Sequence, residues 1–524
     1  MGNYDAIVIG SGVGGLSAAL KIARGGYSVL VLEAMPSFGG YLNPFHRKGY
    51  TFDTGLHLIG ELSKEDTFPM LLEELELSNA IKFIELNPEG FDRYIFPEYE
   101  LKFGRGKKRL IEQLITDFPK EEQGIIKFFN IFQKIVKAAT NTEAMEGGLL
   151  SKLVYILKNP IMIKYSRIPY QELLDTVTSD RRLQAALASN CAYYGLHPAK
   201  ASIITAIMVW NHFFNGAYYP KGGSGAFRDA FVNSLLDHGA VLKNRSRVLS
   251  IDRQGNEFLV NTESEEQYTA RVVISNADPV ITFGHLVKSE IISPQIKRKV
   301  NGLRPSGGSF IAFLGTNLDL PSLGITDAAI HHFDKFDINS IYEDWFSPIP
   351  SEDKDHSYFF MTSSSLKDPG GGHAPKGFYN VEIITGTNYN YFKNWVGLPS
   401  MKRGKDYQNL KEEIGKRLIS AAERYLPGLS KNLDFIEYAT PLTNEYWANA
   451  VKGGNYGPLH TPDQIGPGRF MSQTAGIEGL FLAGAGTHGC GVMTCLKSGF
   501  LAGIKPVKDL RAYSMILMGW DFTI

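Results

Sequence analysis

The sequence predicts an α/β protein in which a discontinuous parallel-sheet domain is interrupted by an inserted α+β domain. Three observations predict it. The chain opens on strand, glycine turn, helix and strand; strand patterning returns after a long helical stretch; and the chain closes on strand, glycine turn and helix again. At 524 residues it is also too long for one hydrophobic core, so at least two domains are expected.

In order along the chain, "YDAIVIGSGVGGLSAALKIARGGYSVLVLEA" reads as a buried strand (Ala6 to Ile9), a glycine turn, an amphipathic helix (Leu16 to Arg24) and a second strand (Ser28 to Glu33), a βαβ unit. From Leu71 to Ala217 the pattern reads as helical and lysine-rich, with "KEEQGIIKFFNIFQKIVKAA" and "RRLQAALASN" at helical spacing. The stretch from Gly239 to Pro279 alternates short strands and turns and reads as hairpins returning to the first domain. Strands such as "SFIAFLGTNL" and a helix at "NLKEEIGKRLISAAERYL" follow, and "GLFLAGAGTHGCGVMTCLKSGFLAG" closes the chain. The expected division is therefore 1–70, 218–290 and 439–524 for the cofactor domain, with 71–217 and 291–438 forming the inserted domain.

Gly10, Gly12 and Gly15 stand in G-x-G-x-x-G register between the first strand and the helix, the Rossmann dinucleotide fingerprint. The first glycine permits the tight turn, the second a close approach of backbone to pyrophosphate, the third close helix–strand packing. The helix N-terminus then offers unpaired N–H groups to the phosphates. Glu33 ends the second strand eighteen residues past Gly15, where an acid accepts from ribose hydroxyls. No second fingerprint of this kind follows, so use of a nicotinamide donor is left open, as is the identity of the electron donor or acceptor.

FAD and NAD both use this unit. "EAMPSFGGY" adds the paired Gly39 and Gly40 after the acid, and this resembles the flavin-containing amine oxidase and phytoene desaturase superfamily, which holds FAD. "FDTGLHLIGE", "GAYYPKGGSGAFRDAFVNSLLDHGAVL" and "AGAGTHGCGV" look like its retinol saturase and carotenoid isomerase branch. Tyr41 departs from both groups, standing where phytoene desaturases carry a basic residue and retinol saturases a small one. The resemblance implies FAD contacts at Gly10, Ser11, Gly12, Val13, Gly14, Gly15, Glu33, Ala34, Gly39, Gly40, Tyr41, His57, Val248, Gly484, Ala485, Gly486, Gly491, Val492 and Met493. It also implies an oxidoreductase acting on a carbon–carbon double bond of a long apolar polyene, with saturation favoured over desaturation or cis–trans isomerisation. The alternatives are a flavin-dependent amine oxidase and a non-enzymatic lipid carrier of the GDP-dissociation-inhibitor type.

Flavin carries the redox chemistry in such enzymes, so no triad is required, but saturation needs a proton donor. Tyr218, Tyr219 and His57 are the candidates, each set against packing or a backbone hydrogen bond. His212 sits among aromatics and reads as a core histidine; His488 reads as a cofactor contact; Lys221 reads as solvated; Cys490 and Cys495 read as buried packing. Gly222, Gly223 and Gly225 read as the place where a helix re-enters the cofactor domain.

Lys+Arg and Asp+Glu balance at 54 each, which excludes the electrostatic footprint of a nucleic-acid binder. Three cysteines supply neither a disulfide framework nor a metal site, and no secretory pattern opens the sequence, so a cytoplasmic location is expected. "GGLLSKLVYILKNPIMIKYSRIPY", Gly147 to Tyr170, is apolar and basic without an acid and predicts peripheral contact with a membrane surface, the alternative being a core helix with its lysines on the wet face. The closing "AYSMILMGWDFTI" would either add to that contact or dock on the fold.

Overall fold

In the computed structural model, residues 2–140, 154, 155, 157–346, 357–471 and 475–517 are described. The opening unit forms as read: strand β1 (Gly2–Ile9), helix α1 (Val13–Ala23) and strand β2 (Val29–Leu32). Ala6 to Ile9 and all of β2 are buried, as parallel strands covered on both faces must be.

Around this unit a seven-stranded sheet runs in the order Val248–Gln254, Glu257–Thr262, Gln267–Ser275, β1, β2, Val241–Lys243, with Leu480–Leu482 also paired to Gln267–Ser275. The strands flanking β1 are parallel to it, and the hairpins at the edge are antiparallel. Three separated stretches of chain thus share one sheet. The closing helix, Val492–Leu517, lies so close to α1 that a Cβ on Gly499 would fall 1.9 Å from the carbonyl oxygen of Gly14.

A second seven-stranded sheet has the order Leu433–Ala439, Gly308–Thr316, Tyr379–Thr387, Tyr358–Thr362, Ala329–Phe333, Asp92–Phe96, Tyr99–Phe103. It is antiparallel except where Ala329–Phe333 runs parallel to Asp92–Phe96. The helices Glu122–Thr140, Arg181–Ala188 and Lys405–Ala422 form where the periodicity places them.

The helical reading of Leu71 to Ala217 needs correction, because that stretch also contains strands Phe83–Glu85, Asp92–Phe96 and Tyr99–Phe103. "DRYIF" alternates buried and half-buried positions, the period of a strand, and pairs with Tyr99–Phe103 next to it and with Ala329–Phe333 far downstream. The strand Tyr218–Pro220 pairs with Phe83–Glu85, and the helix Gly223–Asp237 follows it.

Much of the apolar, basic segment Gly147 to Tyr170 lies outside the described residues; its described part includes the short helix Pro160–Tyr165, with Leu157 and Ile163 exposed. Of the closing "AYSMILMGWDFTI", residues 518–524 lie outside the described residues as well. Among the described residues no helix is long and apolar enough to cross a membrane.

Candidate active site

The two sheets face a common cavity of about 780 Å³. On the first side it is lined by Gly10, Ser11, Gly12, Val13 and Gly14, then by Glu33 and Ala34 at the end of β2, and by Gly39, Gly40 and Tyr41. His57, Val248, Gly484, Ala485, Gly486, Gly491 and Val492 also line it. Segments from both ends of the chain and its middle therefore converge on this cavity. Two residues of the expected set are elsewhere. Gly15 packs helix against strand, since a Cβ there would fall 2.0 Å from the oxygen of Gly10, and Met493 packs into the apolar core beneath the first sheet.

The loop is held by the acid that follows it. Glu33 Oε2 accepts from Ser11 N–H at 2.9 Å and Ser11 O–H at 2.6 Å, and Oε1 accepts from Met35 N–H at 2.9 Å. Ser11 Oγ in turn accepts from Gly39 N–H at 3.0 Å. A carboxylate has about four acceptor positions, so one remains for a ribose hydroxyl. The N-terminus of α1 has no side-chain cap, which leaves its first-turn N–H groups for an anion. Asn276, just past the strand Gln267–Ser275, lines the same end with Oδ1 buried and unpartnered. Methyl groups at Gly12 or Gly14 would lie 2.7 Å and 2.6 Å from that amide. These residues form a cradle that side chains would fill, as a pyrophosphate-bearing dinucleotide requires.

The opposite wall is a face of the second sheet. Register puts His331 beside Phe360 and Phe360 beside Ile384, and all three line the cavity. Behind His331 lies Asp92, which accepts from Tyr193 O–H at 2.9 Å on each oxygen and from Tyr94 O–H at 3.2 Å. His331 Nδ1 is 2.8 Å from Tyr358 Oη and its Nε2 is 3.3 Å from Tyr193 Oη. Burial, then Asp92, raises the Tyr193 phenol well above its ordinary range, so it stands as a neutral donor.

His57 reaches the cavity from the loop after Tyr50–Phe52, its ring centroid 5.5 Å from that of Phe360. Its Nδ1 is 3.2 Å from Oε2 of Glu382, a fully buried carboxyl with neither oxygen in an aligned hydrogen bond. Burial holds Glu382 above the ordinary carboxylate range, against the opposing pull of His57. Lys367 Nζ donates to the His57 carbonyl at 2.7 Å, and burial pulls its ammonium down to about 8 against the pull of Glu382 and Asp53.

Tyr218 and Tyr219 do not line the cavity. Tyr218 exchanges backbone hydrogen bonds with Ile59, and its hydroxyl donates to the Asn215 carbonyl at 3.4 Å. Tyr219 is fully buried and donates to Asp53, which also accepts from Ser224 N–H at 3.0 Å and Ser224 O–H at 2.5 Å. Strand alternation sends neighbouring tyrosines to opposite faces, and neither face is the cavity. His212 accepts from Gly60 N–H and lies 3.3 Å from Glu61, while burial pulls His488, away from the cavity lining, down to about 4. Cys490 and Cys495 line the cavity as free thiols, their pKa values pushed by burial to about 11 and about 12.

Glu382, Lys367, Asp92, Tyr193, His331 and Asn276 escaped the sequence reading. An acid inside "NVEII", within a strand otherwise reading as buried, is a signal that could have exposed Glu382.

The family described as flavin containing amine oxidoreductase matches residues 13–502. The chain belongs to that family. All-trans-retinol 13,14-reductase of Danio rerio is 26% identical, the alignment covering 98% of this chain and 88% of that protein. Prolycopene isomerase 1, chloroplastic, of an Oncidium hybrid cultivar is 28% identical over 99% of this chain and 88% of its own length. Among solved structures, putrescine oxidase bound to putrescine has a TM-score of 0.64 at 14% identity, covering 97% of this chain and 99% of that one, a likeness of fold. The protein is thus an FAD-dependent oxidoreductase, and the cradle described above fits that cofactor.

Proposed function

We propose that this enzyme acts on a carbon–carbon double bond of a long apolar polyene of retinoid or carotenoid type, with saturation favoured over desaturation or isomerisation. The observation that carries the reading is the single cavity that runs from the dinucleotide cradle to the Phe360–Ile384 face of the second sheet. Reductase and isomerase relatives that span nearly the whole chain support the substrate class.

Bound FAD supplies two-electron exchange with a substrate carbon. The residues expected to hold it are the Gly10–Gly14 loop, Glu33, Gly39, Gly40 and the Gly484–Gly486 and Gly491–Val492 turns, with Val248 at the adenine end. On this reading the sheet around them forms a cofactor domain (1–70, 218–290, 439–524) and the second sheet with its helices a substrate domain (71–217, 291–438). Phe360, Ile384 and Ile311 give the polyene an apolar wall, each buried methylene contributing roughly 0.8 kcal/mol. His57, on that wall's edge, holds the proton a saturation consumes. A lipophilic substrate also favours peripheral contact with a membrane surface.

The test is anaerobic mixing of reduced and oxidised holoenzyme, separately, with retinol, a carotenoid, an unsaturated fatty acid and putrescine. Reoxidation of the reduced flavin by a polyene is the expected result. Bleaching of the oxidised flavin by the amine, with no polyene reacting in either state, overturns the reading.

A further inference from the structure

Away from the dinucleotide cradle, Asp53, Asp92 and Glu382 are buried carboxyls near the cavity, and their hydrogen bonding separates them. Asp53 accepts from Tyr219 and twice from Ser224, and Asp92 from Tyr193 and Tyr94. Glu382 is fully buried, yet its Oε2 meets only His57 Nδ1, at 3.2 Å, and Oε1 has no partner among the described residues. An ionised carboxylate left this bare costs several kcal/mol, whereas a protonated one needs only one acceptor. His57 Nδ1, 3.2 Å from Oε2, is the group placed to serve as that acceptor. Its Nε2 has no hydrogen-bond partner among the described residues, and its ring lines the cavity.

We infer that His57 is the catalytic acid of the cavity and that Glu382 is its positioning residue, holding the Nε2–H tautomer and replacing the proton that His57 gives up. The inference rests on the proposed reaction at a polyene. One alkene carbon receives a hydride, the chemistry reduced flavin supplies, and the π pair moves to the neighbouring carbon. That carbon forms its new C–H bond with the Nε2 proton of His57. The N–H pair stays on the ring, Nδ1 takes the proton of Glu382, and the O–H pair stays on the carboxylate. The imidazole remains neutral throughout; the start is restored when Nδ1 returns its proton to Glu382 and solvent in the cavity supplies one proton to Nε2.

The charges around the pair suit this sequence. Lys367, fully buried and bonded to the backbone of His57 itself, is the cation beside the carboxylate that forms; Asp53 is the facing anion, already satisfied by Tyr219 and Ser224. Burial favours the neutral acid at rest, and the ammonium favours the anion after transfer, so the two states are brought closer in energy.

Two measurements test the inference. Infrared difference spectra of the holoenzyme at neutral pH, parent minus Glu382→Gln, should contain a carboxylic-acid C=O band that a carboxylate lacks. Reoxidation of reduced flavin by the reactive polyene in Glu382→Gln should fall by about 100-fold or more, at unchanged KM and with flavin retained. Glu382→Asp, which keeps an acid, should recover part of the rate where the isosteric amide does not. The parent run in D2O should place one solvent deuterium on the product carbon. Absence of the acid band, or a Glu382→Gln rate within threefold of the parent, overturns the inference. If no polyene reacts with the parent at all, the substrate reading has failed, and the infrared band still decides the protonation of Glu382.

Discussion

The two walls of the cavity are built in opposite ways. The cofactor wall uses backbone: glycines at Gly10, Gly12 and Gly14, an uncapped helix end, and one carboxylate, Glu33, held by Ser11 and the Met35 N–H with one acceptor position left over. The wall of the second sheet uses side chains, and it buries titratable groups in an apolar face. Within that wall Asp92 and Glu382 diverge further, the first enclosed by donors and the second bare. A satisfied buried acid rigidifies a fold, whereas a bare one beside a histidine is poised to change protonation. Hydrogen-bond completeness thus distinguishes architecture from chemistry where burial alone does not.

The largest effect is expected on the cofactor wall. Gly14→Val places its Cβ 2.6 Å from Asn276 Oδ1 and 2.7 Å from Gly484 N, so the cradle must open. Purified protein should carry at least about tenfold less flavin by absorbance, equivalent to ~1.4 kcal/mol or more of binding. Full flavin content in this variant would remove the backbone reading of that wall.

The next pair sets the two acids against each other. Asp92→Asn trades charge-assisted acceptance from Tyr193 and Tyr94 for an amide with one acceptor atom and should cost roughly 1.5–3 kcal/mol of stability. Flavin reoxidation should change by less than about tenfold, below the usual loss for a catalytic acid. Glu382→Gln should do the reverse. Because burial raises the Glu382 carboxyl, the native state keeps a proton that the unfolded chain releases. The parent therefore loses stability as pH rises from the unfolded carboxylate value through the raised native one. The Gln variant lacks that loss and should gain on the parent across this window, read from denaturant midpoints between about pH 4 and about pH 8. If Asp92→Asn instead removes rate and Glu382→Gln removes stability, the comparison is inverted.

This contrast also explains what could be read from sequence. The cofactor wall is made of short-range signals: strand, spaced glycines, helix and terminal acid fall within one continuous run, and the paired glycine follows at once. The three-part sheet was legible for the same reason, since each part carries its own periodicity. The second wall was not, because Lys367, at the end of a short helix, and His57, in a loop, are 310 residues apart and meet only in the folded chain. The hairpin from Asp92 to Phe103 was lost similarly, since the strand that joins it to the rest of its sheet, Ala329–Phe333, lies more than two hundred residues downstream. Tyr218 and Tyr219 drew attention through the resemblance of the turn that carries them, yet neither side chain lines the cavity.

The smallest effects come from those tyrosines, and they sharpen the line between a conspicuous segment and a reactive one. Tyr219→Phe removes a donor from fully buried Asp53, leaving its Oδ2 only the Ser364 hydroxyl at 3.5 Å; this should cost about 1–3 kcal/mol of stability. Tyr218→Phe loses only a 3.4 Å bond to the Asn215 carbonyl near the surface and should stay within about 0.5 kcal/mol of the parent. In both variants the rate of flavin reoxidation by polyene should match the parent once folded protein is counted by bound flavin. A rate loss in Tyr218→Phe without a stability loss would place its hydroxyl at the substrate and move the proton source from His57 to the strand that re-enters the fold. A loss per bound flavin confined to Tyr219→Phe would instead show that Asp53 is felt at the cavity through its neighbour Lys367. The ordering of these two variants therefore reports whether the Asp53 cluster is only scaffold for the turn or also sets the charge around Glu382.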